Sequence, residues 1–572
     1  MIRNRTIRSI VIRNAMRISA CLFFMMLASG GFFSTPAHAK RVSPEMDDDP
    51  VLQAMRAEME RSKTQLKMEQ MAAPYYIEYR VSDSDVYQAD AAFGAIRSDF
   101  RNRFRTLTVV VRVGDYQQDS SLAPIVPPPG SSPIQGGGTG VTQSMSIDDN
   151  IVSLRRELWL ATDQAYKQAL EAFTAKKAQL KQYAADQSIA DFARAEPVNM
   201  VLPRAKLEID VQPFLKMIRA ATAAYQRDAA VDFLEANAIF TATNRYLVNS
   251  EGATVRNGQA LYEMDISSQS QAADGMNLRR VYQYSVLEKR ELPTESEFVA
   301  QAVKLIASFK DMKAAPVVDD EYHGPVLLSA SAASSVVSAL IGENLLGRRP
   351  GLGQNARTLG AWASNYKTRV LPTFLSVVDD PTISSFKGKE VIGGYPVDEE
   401  GVKADRVSLI ENGKLVNYLM SRTPIRDFPA SNGHGRTPGA YLGNLIVNAE
   451  QAVAPEELKK RLIALCKERG LAYGYYVEAF GEQLRPALLR KIWVNDGHEE
   501  LVRGAVFGNL DTRSLRDNLV AAGDDMFVQN VRRTAPHSVV APSFLFDELE
   551  VKKEDTKNLK LPDYPIPPLQ AK

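Results

Sequence analysis

The stretch Gly324-Pro325-Val326-Leu327-Leu328-Ser329-Ala330-Ser331-Ala332-Ala333-Ser334-Ser335-Val336-Val337-Ser338-Ala339-Leu340-Ile341-Gly342-Glu343-Asn344-Leu345-Leu346-Gly347-Arg348-Arg349-Pro350 decides how this chain reads. Behind the Gly-Pro break, Val326 to Leu328 is a short apolar run suited to a buried strand. Ser329 offers an N-cap for a helix in which Ala332, Val336, Ala339, Leu340 and Ile341 recur at helical spacing. Pro350 closes the segment. A strand running through small residues into a helix is where a hydrolase would place its chemistry.

Several short motifs, in order, carry a family likeness. Gly324-Pro325-Val326-Leu327-Leu328 resembles the opening of the C-terminal half of the TldD/PmbA family, metallopeptidase-related proteins also called modulators of DNA gyrase. Arg155 to Asp163 and Asn249-Ser250-Glu251-Gly252 resemble its N-terminal half. Arg369 to Pro381, Glu399-Glu400-Gly401-Val402, Leu409-Ile410-Glu411-Asn412-Gly413 and Val506-Phe507-Gly508-Asn509-Leu510 resemble later elements. In the TldD branch the opening strand runs into His-Glu-x-x-x-His, whose imidazoles hold zinc. Those slots here contain Ser329, Ala330 and Ser334, and neither serine replaces an imidazole nor the alanine a general base. The downstream cysteine ligand of that branch has no counterpart between Val528 and His537. The resemblance therefore implies a PmbA-like subunit with no catalytic or metal-ligating residue in the expected slots. Zinc would sit in a TldD-type partner, and the pair would degrade peptides.

Length and composition bound this reading. At 572 residues, 45% hydrophobic and 24% charged, the chain is globular and long enough for two large domains. Arg3, Arg5, Arg8, Arg13 and Arg17 precede an apolar run from Ile18 to Phe33, and Ala37-His38-Ala39 makes a cleavage site. This is the pattern of a secretory signal peptide, which predicts export to the periplasm. Ile18-Ser19-Ala20-Cys21 resembles a lipoprotein box, but its apolar run follows the cysteine. Without residues 1–39, which carry five arginines and no acids, 64 basic residues face 68 acidic, a balance of −4. Nothing there steers a nucleic acid, and no later apolar stretch would span a bilayer. Export and charge argue against a role at gyrase. Cys466 alone remains, on a helical pattern that favours a buried, inert thiol.

The expected fold is α+β with two domains: an α/β domain over 40–318 with a long helix, and a mainly β domain over 319–556. A Pro-rich tail follows at 557–572. Helices are expected at Val51–Met71, Ile151–Ala185, Pro213–Tyr225, Phe298–Met312 and Pro455–Gly470. In the long helix Leu154, Leu158, Ala161 and Ala165 line the packed side, with Lys176 and Lys177 elsewhere. Strands are expected at Tyr75–Val81 and Phe104–Val113, and at Ala238–Thr243 and Arg245–Asn249 with a polar turn between the last two. Asn412-Gly413 predicts a type I′ hairpin, and Asn495-Asp496-Gly497 a second.

Pro127 to Gly138 is a loop, and its glycines lack the Lys-Ser/Thr of a phosphate loop. The acidic run Asp319-Asp320-Glu321, with His323 beside it, suits a solvated linker, with an unusual metal site using His323 and Asp319 as the rival. Asp379 and Asp380 point to opposite faces of a strand and suit turn formation before Pro381. No Gly-x-Ser-x-Gly elbow supports a serine hydrolase. Asn432-Gly433-His434-Gly435 is a glycine-flanked turn, read either as a surface turn or as a lining for a peptide substrate. The overall expectation is a metal-free subunit that binds an unfolded segment by strand addition, beside a TldD-type partner or as a homodimer. The rivals are a self-sufficient metallopeptidase and a non-enzymatic peptide-binding protein of the envelope.

Overall fold

The computed structural model describes residues 48–122, 140–181, 188–225, 231–318, 321–351, 353–437, 439–532 and 535–555. The expected signal peptide, the whole Pro127–Gly138 loop, Asp319 and the Pro-rich tail lie outside them. No helix of the described residues is long and apolar enough to cross a membrane.

The N-terminal half is one seven-stranded sheet. Its strands are β1 (Pro74–Ala92), β2 (Ala95–Val113), β3 (Gly140–Met145), β4 (Asn199–Val201), β5 (Phe233–Asn249), β6 (Thr254–Gln271) and β7 (Asn277–Val286). The order is β3-β2-β1-β5-β6-β4, with β7 also on β6, and only β4 runs parallel to its neighbour. The strands β1 and β2 are far longer than the apolar runs that announce them. They meet at a two-residue turn, Phe93-Gly94, with both φ positive. The polar stretch Ser82 to Asp85 stays in the sheet because Asp83 is held by Arg103 and Arg105 across the ladder. Likewise the expected turn at Asn244 does not form. β5 runs straight through it, and the Asn244 amide bonds the Ala205 backbone at both its N–H and its carbonyl.

One face of this sheet is covered by helices. At one end α1 (Pro50–Gln65) and α2 (Ile151–Leu180) pack on Ile77, Tyr79 and Val81 of β1. At the other, α3 (Gln212–Ala223) and α4 (Glu295–Ala314) pack on Tyr87, Ala89 and Ala91. Thr294 and Glu297 form a capping box at the start of α4. Lys176 departs from expectation: it is buried, its ammonium donates to the Asp119 and Ser121 carbonyls and pairs with Asp191. A lysine on the packed side is tolerated because every donor direction finds an oxygen.

The C-terminal half begins with β8 (Tyr322–Leu328). It lies in a seven-stranded sheet between Tyr473–Phe480, which is parallel to it, and Phe544–Lys553, which is antiparallel. A second, six-stranded sheet contains β9 (Leu375–Asp379) flanked by Val407–Glu411 and Asn444–Ala449. Val326, Leu328, Tyr475 and Phe546 of one sheet share a core with Val377, Leu409, Val447 and Val539 of the other. Asn412 and Gly413 take the positive φ values that the predicted hairpin requires.

The halves are pinned together by Arg422. Its guanidinium is fully buried, donates to the Ala193 carbonyl at 2.7 and 2.9 Å, and pairs with Glu251 at 2.7 Å. The Phe192 ring lies 4.0 Å from it. Replacing Arg422 by methionine keeps the volume but leaves the Ala193 carbonyl and the Glu251 carboxylate facing an apolar chain. A loss of about 3–5 kcal/mol in urea unfolding is expected, against less than about 1 kcal/mol for the exposed ion-pair variant Lys167→Met.

Candidate functional site

At the strand-to-helix junction that opens the C-terminal half, the serine hydroxyls are engaged within the chain. Ser329 caps the helix Ala330–Val336, accepting from the Ala332 N–H at 3.1 Å and donating to the Glu478 carbonyl at 2.7 Å. Ser334 is fully buried and donates back to the Ala330 carbonyl at 2.8 Å. The expected single helix through Ile341 instead widens into a π turn at Val337–Ile341 and tightens into a 3₁₀ turn at Gly342–Leu345. Val336, Val337, Ile341 and Leu345 are all buried, so the backbone follows the shape of the core rather than one amphipathic stripe.

His434 is neither a surface turn nor part of an open cleft. Its side chain is fully buried, with Nδ1 3.0 Å from the Asn432 carbonyl and Nε2 3.2 Å from Asp379 Oδ1. Asp379 is equally buried and accepts the N–H groups of Gly443 and Asn444. It therefore does not organise the turn, whereas Asp380 does, accepting the Thr382 N–H at 3.0 Å. The Asn432 side chain is spent on the Met420 N–H and the Tyr418 carbonyl. Gly433 has φ +76°, and a Cβ there would lie 2.3 Å from the Lys403 carbonyl oxygen.

The glycine loop instead holds an acidic turn. Asp398 accepts N–H bonds from Glu400, Val402 and Gly435, and a Cβ on Gly435 would lie 2.4 Å from the Glu400 carboxylate. The Glu399 carboxylate accepts from the Thr437 N–H and hydroxyl. Burial, then repulsion from Glu400, holds the Asp398 carboxyl well above the usual carboxylate range. Burial also raises Glu400, against the pull of the Arg422 N–H and charge.

Between the halves runs a polar seam. The face of the N-terminal sheet opposite its helices touches the C-terminal half through Leu247 and Val255 on Val397, and through Leu261 on Ile392. Asn257 and Gln259 lie on that same face between the two apolar contacts. Both are buried, and Asn257 Nδ2, both amide atoms of Gln259 and Thr241 Oγ1 have no protein partner. Buried amides ordinarily find partners, so these atoms mark a place for water or a polar ligand. A separate open cleft of about 870 Å³ is lined by Lys63, Tyr75, Tyr116, Arg194, Glu196 and Glu251 among others. The four loop residues Asn432 to Gly435 line neither this cleft nor the smaller groove beside Trp159.

Among the described residues one group has metal-ligand types within reach of each other: Glu321, His323 and Glu550, with ligand atoms within 4.8 Å. It lies at the surface, and Lys552 already places its ammonium 2.5 Å from Glu550 and 3.6 Å from Glu321. Sequence reading found His323 but missed Glu550, which only the pairing of β8 with Phe544–Lys553 brings to it. Cys466 is buried, and burial pushes its thiol up to about 11, as suits an inert side chain.

Residues 321–553 match the PmbA/TldA metallopeptidase C-terminal domain. A protein named metalloprotease from Archaeoglobus fulgidus is 31% identical over 71 residues, 12% of this chain and 15% of that relative's length. Three solved structures share the fold across most of the chain. A Thermotoga maritima protein described as a modulator of DNA gyrase gives a TM-score of 0.57 at 14% identity, covering 87% of this chain and 99% of that one. TldE from Thermococcus kodakarensis gives 0.55 at 13%, with 87% and 99% covered. A Bacteroides thetaiotaomicron protein, also described as a modulator of DNA gyrase, gives 0.56 at 13%, with 88% and 98% covered.

The raised carboxyls set a pH dependence. A carboxyl raised in the folded state contributes stability that is present below its unfolded value and lost as pH rises through its folded value. Stability is therefore expected to fall from about pH 4.5 towards neutrality. Glu400→Gln removes one such carboxyl and relieves Asp398, so its urea midpoint should fall less over that interval than that of the native chain.

Proposed function

Because this chain belongs to the PmbA/TldD metallopeptidase family, we propose that it is an exported, metal-free, PmbA-like subunit. In this reading it takes part in peptide proteolysis beside a zinc-bearing TldD-type partner and holds an unfolded segment as an added strand. One observation carries the proposal. At the junction where the TldD branch would hold zinc, Ser329 and Ser334 direct their hydroxyls at backbone carbonyls, and Ala330 offers no donor or acceptor side chain. The arginine-rich start and the Ala37-His38-Ala39 site support a periplasmic location.

A second reading rests on Glu321, His323 and Glu550, a mixed nitrogen and oxygen set that could hold a divalent ion if Lys552 moved away. Zinc per mole of protein, isolated mildly from its native envelope, separates the two. Zinc that accompanies only a co-purifying second polypeptide supports the paired subunit. Stoichiometric zinc in this chain alone, lost in His323→Ala, overturns it in favour of the surface site. A chain with neither metal nor partner is a peptide-binding protein, and the proteolytic reading fails.

Rebuilding the missing motif is a sharper check. The triple variant Ser329→His, Ala330→Glu, Ser334→His should gain no zinc, because position 334 has no exposed surface to accommodate an imidazole. It should also lose about 1–3 kcal/mol of stability from overpacking, read by thermal melting.

A further inference from the structure

The open cleft of about 870 Å³ in the N-terminal half has an aromatic floor that the fold holds in place. The register of β1 on β2 shifts between Pro74 and Tyr76, so Tyr75 is the extra residue of a bulge, a device that re-aims a side chain. Its ring meets that of Tyr116 edge to face, with centroids 4.8 Å apart. Both hydroxyls are engaged, Tyr75 donating to Asp119 at 2.7 Å and Tyr116 to Glu251 at 2.6 Å. Rings held in this way lose little freedom when a ligand packs on them.

The charge on the walls is unbalanced. Arg194 is exposed, its Cζ lies 3.9 Å from the Tyr116 ring centroid, and neither it nor Lys63 forms an ion pair with a described residue. The acids beside them are mostly engaged: Glu251 by Arg422 and Tyr116, Asp115 by the N–H groups of Gln117 and Gln118. Among the lining acids only Glu196 is without such a partner among the described residues. The main chain is open as well. Arg194, Ala195 and Glu196 make no backbone hydrogen bond to a described residue, and they lead into β4 at an edge of the sheet. Unpaired main chain beside an edge strand is where an extended peptide can add its own.

We propose that this cleft binds the C-terminal end of a peptide. The terminal carboxylate sits on Arg194 and Lys63, the last side chain, apolar or aromatic, on Tyr75 and Tyr116, and the main chain along 194–196. An arginine stacked on a ring keeps its planar fork for a carboxylate, which a lysine cannot match. An interior segment of a peptide would bring no main-chain anion to these two cations, so the charge selects the chain end. For its substrate class the inference rests on the peptide-binding part of the proposed function. It adds the place and the end that is recognised, and it needs no zinc.

The test is calorimetric titration of the purified chain with N-acetyl-Ala-Ala-Phe, with its C-terminal amide and with 3-phenylpropanoate. The free acid is expected to bind at least about tenfold more tightly than the amide. Arg194→Gln, which breaks no hydrogen bond to a described residue, should lose a similar factor for the acid and nothing for the amide. Arg194→Lys should recover part of that loss, since it keeps the charge without the planar stack. 3-Phenylpropanoate should bind more weakly than the acid peptide, having no main chain for 194–196. Equal affinity for acid and amide, or an Arg194→Gln chain that binds as the native one does, overturns the proposal and leaves peptide binding elsewhere on the molecule standing. 3-Phenylpropanoate that matches the peptide overturns a peptide as the occupant. A native chain that takes up none of the three overturns this site and the peptide-binding reading together.

Discussion

A guanidinium sealed from water must find an oxygen for every donor, and Arg422, a residue of the C-terminal half, finds its oxygens in the N-terminal half. Its side chain reaches the Ala193–Glu251 region of the N-terminal half, while its own N–H is bonded by Glu400 of the C-terminal half. Glu400 belongs to the acidic turn that Gly435 covers, and Gly435 adjoins His434, whose ring rests on Asp379. One buried arginine thus ties the acidic turn and the glycine loop of the C-terminal half to the N-terminal half.

This chain of dependence explains why the glycine loop holds no ordinary surface turn. Gly433 and Gly435 are glycine because backbone and carboxylates crowd them from inside the protein, at 2.3 and 2.4 Å from where a Cβ would sit. The same glycines that suggested an approaching peptide are needed to admit the protein's own atoms.

Sequence made the local elements legible where periodicity and caps agree. Ser329 caps where expected, and Asn412-Gly413 turns as its φ values demand. It failed where a distant partner reverses a local signal. Asp83 keeps a polar run in a strand only because two arginines of the neighbouring strand reach it, and Asn244 stays extended because Ala205 takes up its amide. Lys176 reads as solvent-facing until Asp191 is placed beside it. The His434–Asp379 pair spans 55 residues of sequence, so neither residue announces the other. That Ser329, Ala330 and Ser334 are not metal-ligand types is plain from residue identity, while the Ser329 bond to the Glu478 carbonyl joins residues 149 apart in the chain.

The seam between the halves has a thermodynamic signature of its own. Most protein interfaces of this extent bury apolar surface, so separating them raises the heat capacity and responds steeply to denaturant. Here two small apolar contacts bracket a strip of amide and hydroxyl groups. Exposing polar surface lowers the heat capacity, which offsets the apolar part. Hydration of these amides would thus offset part of the heat-capacity rise that accompanies parting of the two halves.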